Sequence, residues 1–236
     1  MNSNIKKDLD ILINFYNNYS LKSRFEDNEF IIIFKSIHKK IYAYLVVVME
    51  IKYQNVIKSA FNECQLRYLE ESVSDILESS FAWTNGAYKA ANLLMRSSIE
   101  NFIKFALGDD ESVYIEKNVY KIFEKANCDD RFSHVITKAK ISSILYNIYG
   151  EMCKSSHTAS YNDMEHLVSL DALPTWDSQK AEVYKDNISN VLNAYFGFFL
   201  ANNPKIINDM YRKNKDIFYE AIPDGIVKKI EQNRRN

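Results

Sequence analysis

Glycine and proline are so scarce in this chain that folds built on many turns are disfavoured. The 236 residues include 5 glycines and 3 prolines, and the first proline is Pro174. A β-rich or α/β protein of this length needs many turn residues, and tight turns draw heavily on glycine and proline. Apolar residues make up 47% of the chain, which is enough for a substantial core. The sequence therefore predicts an all-α protein with long helices.

Charge, cysteine usage and hydropathy restrict the classes of function. The net charge is −1, so a nucleic-acid site would have to be a local patch. The 3 cysteines are far apart and lack metal-ligand spacing, which is typical of free thiols in a reducing cytosol. No apolar run follows the lysines of the N-terminus, so we expect no signal peptide. The longest uninterrupted apolar run, 41–49, is about half of a membrane span. We expect a cytoplasmic protein that does not bind membranes.

Apolar periodicity predicts the positions of the helices. They are expected over residues 4–17, 64–82, 83–107, 112–126, 131–154 and 177–201, with a short helix over 163–170. The β-branched runs 31–33 and 46–48 are compatible with strands, but no hairpin turn separates them, so helix is favoured for 30–62. We predict an N-terminal helical extension, 1–62, followed by a helical bundle, 63–236.

The clearest helix lies in residues 83–107, between a break at Asn85-Gly86 and a stop at Gly108. One face is rich in small and aromatic residues suited to helix packing: Ala87, Ala90, Ala91, Leu94, Ser98, Phe102 and Phe105. The opposite face carries Arg96 and Glu100, whose i, i+4 spacing brings their side chains together. On spacing alone, the simplest interpretation of this pair is a solvated ion pair of little energetic consequence.

A second candidate group leads to His157. If the helix over 131–154 continues, Tyr146, Gly150, Cys153 and His157 share one of its faces. A histidine there can act as an acid or a base near pH 7, or its ring can simply be satisfied by neighbouring serines. The sequence contains no phosphate-binding glycine loop and no HExxH or CxxC motif. We expect no metal and no cofactor.

Three segments together resemble the HEPN superfamily, all-α domains named for nucleotide binding in higher eukaryotes and prokaryotes. They are Tyr68-Leu-Glu-Glu-Ser, Gly86-Ala-Tyr-Lys-Ala-Ala-Asn-Leu-Leu-Met-Arg96-Ser-Ser-Ile-Glu100 and Tyr149-Gly-Glu-Met-Cys-Lys-Ser-Ser-His157. The resemblance extends over 65–200 and implies an antiparallel bundle of roughly four or five helices, usually a homodimer. It also implies roles in RNA cleavage, toxin–antitoxin pairs and anti-phage defence.

Active members of that superfamily resemble metal-independent ribonucleases in which an arginine precedes a histidine by a few residues. None of the arginines here stands at that distance, and Met152 and Lys154 occupy the region before His157. The resemblance therefore implies a non-standard site in which Arg96 holds a phosphate and His157 is the acid or base. Glu100 completes the catalytic group, and Tyr146, Tyr149 and Lys154 are possible supporting residues.

Three functions are compatible with these observations. The first is a HEPN-like defence or toxin-type protein that binds or cleaves RNA, as a homodimer and with a possible antitoxin or other protein partner. The second is a catalytically inactive HEPN-like scaffold that dimerises and binds a protein or a nucleotide. The third is an unrelated helical interaction module, which a bundle without a central antiparallel pair of 86–107 and 131–154 would favour.

Overall fold

The computed structural model describes residues 3–156, 169 and 172–235, and helices dominate them. The α-helices of this part of the chain are Ser3–Asn18 (α1), Lys22–Glu26 (α2), Asn28–Tyr53 (α3), Asn55–Lys58 (α4), Glu63–Thr84 (α5), Tyr88–Ala106 (α6), Ser112–Ile115 (α7), Val119–Cys128 (α8), Ile141–Ser156 (α9), Ser178–Asn202 (α10), Pro204–Asp209 (α11), Arg212–Ala221 (α12) and Asp224–Arg235 (α13). Asp130–Phe132 forms a short 3-10 helix. Within the same residues the extended pairing is limited to one bridge, Val135 with Lys140. The all-α prediction is confirmed.

Polar side chains cap the starts of three long helices, α3, α5 and α10. The Asp27 carboxylate accepts hydrogen bonds from two backbone amides in the first turn of α3. Asn62 and Gln65 form a reciprocal capping box at the start of α5. The Asp177 side chain caps α10 by accepting a hydrogen bond from the Lys180 backbone amide. Pro204 occupies the first turn of α11, as expected for a residue without a backbone N–H.

The centre of the bundle is the packing of α6 against α5. The Ser79 hydroxyl donates to the Ala91 carbonyl over 2.7 Å, and the Ser98 hydroxyl donates to the Ser72 carbonyl over 2.8 Å. Residues later in α6 thus contact residues earlier in α5, so the two helices are antiparallel. Small side chains at these positions allow the backbones to approach closely, as the helical-wheel pattern predicted.

Aromatic side chains of α10 and α3 close the core. Tyr195 of α10 stacks on Phe102 with ring centroids 3.7 Å apart, and its other neighbour is Tyr44 of α3 at 5.2 Å. Glu50, near the end of α3, is buried and accepts hydrogen bonds from Gln54 and from Asn214 of α12. Helix α3 therefore belongs to the same core as α5, α6 and α10. The division at residue 62 stays a prediction.

The buried face of α6 differs in part from the predicted one. Ala91, Ser98 and Phe102 are buried as expected, but Ala90 is exposed and Leu94 is only half-buried. The buried side of α6 is completed instead by residues that the helical wheel did not assign to it: Met95, Ile99 and Ile103. The reason is that α6 is covered from more than one side, by α5, α9 and α10.

Two predicted helices begin or end elsewhere. The segment 112–126 is split into α7 and α8, because the Glu116 and Asn118 side chains accept hydrogen bonds from nearby backbone amides and break the helix. The helix predicted from residue 131 begins at Ile141. Before it, the chain forms the short bridge, and the Ile136 side chain packs over Gly197 of α10. The predicted helix over 163–170 lies outside the described residues, apart from residue 169.

The first helix is present where the sequence placed it, but its apolar stripe is largely open to solvent. Ile5 is 59% exposed and Tyr16 is 63% exposed.

No described helix is long and apolar enough to cross a membrane.

Candidate functional site

Arg96 and Glu100 lie one turn apart on α6 and form an ion pair. The Arg96 Nε donates to Glu100 Oε1 over 3.4 Å. Their side chains are 24% and 25% exposed, so the pair is partly shielded from solvent rather than fully solvated. Partial burial makes the electrostatic interaction stronger than that of a surface pair at the same spacing.

Tyr149 of α9 joins this pair from the neighbouring helix. Its hydroxyl donates to Glu100 Oε1 over 2.8 Å, so a single carboxylate oxygen accepts from both Tyr149 and Arg96. The Arg96 guanidinium lies over the Tyr149 ring, 5.1 Å from its centroid. We call Arg96, Glu100 and Tyr149 the α6–α9 cluster. The cluster joins α6 to α9 through the hydrogen bond between Tyr149 and Glu100 and the contact of Arg96 with the Tyr149 ring.

The electrostatics of the cluster fix two protonation states. Burial, followed by the hydrogen bond and the charge of Glu100, raises the pKa of the Tyr149 phenol well above its usual value, although Arg96 opposes this effect. Burial lowers the pKa of the Arg96 guanidinium, but Tyr149, Cys153 and Glu100 raise it and give a net increase. At neutral pH, Tyr149 is therefore a neutral hydrogen-bond donor and Arg96 is a fixed cation.

The geometry leaves part of the guanidinium available. Glu100 engages the Nε of Arg96, and Tyr149 covers one face of the group. Within the described part of the chain, the two terminal nitrogens of Arg96 donate no hydrogen bond to protein. A guanidinium held by its Nε and by one face presents its outer N–H groups in a defined direction, which suits a phosphate or another oxyanion.

Tyr146 and Lys154 contact residues outside the cluster in the described part of the chain. Tyr146 is 42% exposed, and its ring contacts Phe123 edge-on at 5.3 Å. Lys154 forms an exposed ion pair with Glu151 at 2.7 Å. His157 lies outside the described residues, directly after the last residue of α9, so its role stays a prediction.

A buried carboxyl next to α6 was not predicted from the sequence. Asp75 of α5 is only 7% exposed and accepts a hydrogen bond from the Asn101 amide over 2.8 Å. Burial raises the pKa of this carboxyl, while hydrogen bonds from Ser97 and Asn101 lower it. The sequence signal that could have indicated the burial of Asp75 is its position immediately before Ile76, which is buried. In the described residues, no group of three His, Cys, Asp or Glu side chains has an arrangement that fits a metal ion.

Comparison with known proteins leaves the family open. The chain matches no protein-family model, no curated protein and no solved structure. The class that the described residues define is an all-α protein with an oriented arginine at a helix–helix junction. Membership of the HEPN superfamily stays a prediction that rests on the three sequence segments.

Proposed function

We propose that the protein is a HEPN-like protein of the defence or toxin type that binds RNA through a phosphate contact of Arg96. The observation that supports this proposal is the orientation of Arg96, whose Nε is held by Glu100 and whose face is covered by Tyr149. An arginine already restrained loses less conformational freedom when it binds a ligand. Its outer N–H groups match the spacing of phosphate oxygens.

The catalytic part of the proposal assigns proton transfer to His157. Helix α9 carries Tyr149 and Cys153 to the side of α6 that bears Arg96, and His157 follows Cys153 by four residues in the sequence. In metal-independent RNA cleavage, the ribose 2′-oxygen bonds to phosphorus and the bond to the 5′-oxygen breaks. One base removes the 2′ proton and one acid supplies a proton to the leaving oxygen. Pairing of two chains in a homodimer would provide two such histidines.

A catalytically inactive scaffold is the second candidate function. It is favoured by the internal completeness of the α6–α9 cluster, in which Glu100 neutralises Arg96 and hydrogen-bonds Tyr149. In this alternative, the cluster serves to hold α6 against α9, and the partner is a protein or a nucleotide bound elsewhere.

The two functions differ in the expected effect of Arg96→Gln on RNA binding. We would measure the fluorescence anisotropy of a labelled single-stranded RNA as a function of salt. Arg67→Gln is the matched control, because Arg67 pairs with Glu63 at the same spacing but is 76% exposed. Loss of one phosphate contact predicts about tenfold weaker binding for Arg96→Gln and a salt dependence reduced by roughly 0.7 in log–log slope.

The control variant and the scaffold function each predict a specific result for RNA binding. Arg67→Gln should bind RNA as the unmodified protein does. If Arg96→Gln lowers the melting temperature but leaves RNA affinity unchanged, the arginine is a structural brace and the scaffold function is correct. If the unmodified protein binds no RNA, the proposed function is wrong.

A further inference from the structure

The solvent-facing side of α3 carries positive charge without acidic residues along the same helix. Residues 30–49 contain three lysines and one histidine but no aspartate or glutamate. Lys35 and Lys39 are exposed and lie one turn apart, where like charges repel each other. Within the described residues neither of them forms an ion pair, whereas Lys52, near the end of α3, pairs with Glu70 at 3.0 Å. Two cations of this helix are thus left without an acidic partner in the described part of the chain.

A ladder of nearly parallel rings accompanies these lysines. Phe34, His38 and Tyr42 follow one another at intervals of four residues, with ring centroids 6.1 Å apart at each step and interplanar angles of 6° and 22°. Each lysine directly follows a ring of the ladder in sequence. We call Lys35, His38, Lys39 and Tyr42 the α3 face.

The ladder is closed at one end and open at the other. Phe34 is half-buried and packs against the core. His38 is exposed, and Tyr42 is 47% exposed. Among the described residues, Tyr42 contacts no ring other than that of His38. The open end therefore offers an aromatic surface that no other described ring covers.

Rings combined with unpaired cations suit a single-stranded nucleic acid. Every base has an aromatic face that can stack on a ring, and every phosphate can be bound by a lysine. A protein partner fits the α3 face less well, because lysine is depleted from protein interfaces and the burial of an unpaired charge is unfavourable. The chemistry of the α3 face therefore favours a nucleic-acid strand over a protein.

We propose that the α3 face binds single-stranded RNA, with a base stacked on Tyr42 and phosphates bound by Lys35 and Lys39. This inference rests on the proposed function, because it supplies a second contact surface for the same RNA. The α3 face is separate from the α6–α9 cluster, since α3 packs on α5, α10 and α12. It adds a base contact that tolerates any sequence to the phosphate contact of Arg96.

The stacking contact is tested by comparing two ligands of the full chain. One is a labelled single-stranded RNA, and the other is a labelled ribose–phosphate strand of the same length that lacks bases. Tyr42→Ala should weaken RNA binding about fivefold or more in fluorescence anisotropy, because it removes the stacking ring. It should leave binding of the strand without bases unchanged. Tyr42→Phe is the matched control, because it keeps the ring and should bind both strands as the unmodified protein does.

The phosphate contacts are tested by replacing both lysines. The double variant Lys35→Gln, Lys39→Gln should bind both strands more weakly, with the log–log salt slope reduced by roughly 1.4, or about 0.7 for each lost contact. Lys205→Gln, Lys228→Gln removes the same charge from exposed positions of α11 and α13 and should leave the slope unchanged. If Tyr42→Ala fails to fold, the lysine variant decides the test, because unchanged binding of both strands would overturn the inference.

Arg96→Gln, measured in parallel, separates this inference from the proposed function. If RNA affinity falls in Arg96→Gln but not in Tyr42→Ala, the inference is wrong and the phosphate contact of Arg96 stands. The reverse result supports the α3 face and removes the role of Arg96. If Tyr42→Ala dissociates a dimer in light scattering but binds RNA normally, the α3 face belongs to a second copy of the chain and the inference is wrong. If the unmodified protein binds neither strand, both proposals fail.

Discussion

The turn between α5 and α6 should be intolerant of any side chain at Gly86. This residue has a φ of +76°, a conformation that costs an alanine about 1–2 kcal/mol. A Cβ atom at Gly86 would lie 2.2 Å from the Thr175 carbonyl oxygen and 2.7 Å from its methyl group. Relieving that overlap requires the 172–177 segment to move, which adds roughly 1–3 kcal/mol. Gly86→Ala should therefore lower the free energy of unfolding by about 3 kcal/mol.

Gly150 supplies the matched control, because a Cβ atom there has no neighbour within 4 Å among the described residues. It lies inside α9 and is exposed, so Gly150→Ala should stabilise the protein by about 0.5–1 kcal/mol through helix propensity. For a chain of this length, 1 kcal/mol corresponds to about 2–4 °C in melting temperature. Thermal and urea unfolding should show a loss of roughly 6–12 °C for Gly86→Ala and a small gain for Gly150→Ala. Equal effects of the two substitutions would refute the assigned geometry of the turn.

Three further predictions concern single side chains. Tyr149→Phe removes the hydrogen bond to Glu100, whose side chain is a quarter exposed. Urea unfolding should show that the free energy of unfolding falls by about 1.5 kcal/mol. An unchanged free energy would contradict the hydrogen bond. Asn62→Ala removes the capping box of α5 and should cost about 1 kcal/mol in the same assay, whereas an unchanged midpoint would argue against the cap. Burial, with Lys39 as a lesser cause, lowers the pKa of Lys40 to about 8. The folded state therefore releases the Lys40 proton at a lower pH than the unfolded state does. Compared with that of Lys40→Met, the free energy of unfolding should be lowest below pH 8 and should rise as the pH approaches the unfolded pKa of about 10.5. Parallel pH profiles of the two proteins would exclude this effect.

The positions of most helices follow from signals that are local in sequence. Periodic apolar residues predicted α5 and α10 to within a few residues, and the Asn85-Gly86 break predicted the turn before α6. These features depend on nearest neighbours along the chain, so sequence alone carries them. The loop before Ile141 was missed because Ile136 is fixed by Gly197, which is distant in sequence.

The candidate site was predicted only in part, because some of its contacts join residues that are distant in sequence. The i, i+4 spacing of Arg96 and Glu100 is a local property, and the pair is present. The role of Tyr149 depends on how α9 packs against α6, which no local pattern specifies. The contacts of Arg24 with the rings of Phe30 and Trp176 were not predicted at all, because these residues come from α2, α3 and the segment before α10. Contacts of this kind become visible only once the helices are assembled.

The proposed function requires Arg96 and His157 to act together on RNA. The most direct measurement is an assay of the purified protein against total RNA and tRNA with EDTA present, with Arg96→Ala and His157→Ala in parallel. Light scattering would establish the oligomeric state of each variant. The proposed function predicts cleavage by the unmodified protein and loss of cleavage in both variants, with the oligomeric state unchanged. No cleavage by the unmodified protein, or cleavage that persists in both variants, would contradict it.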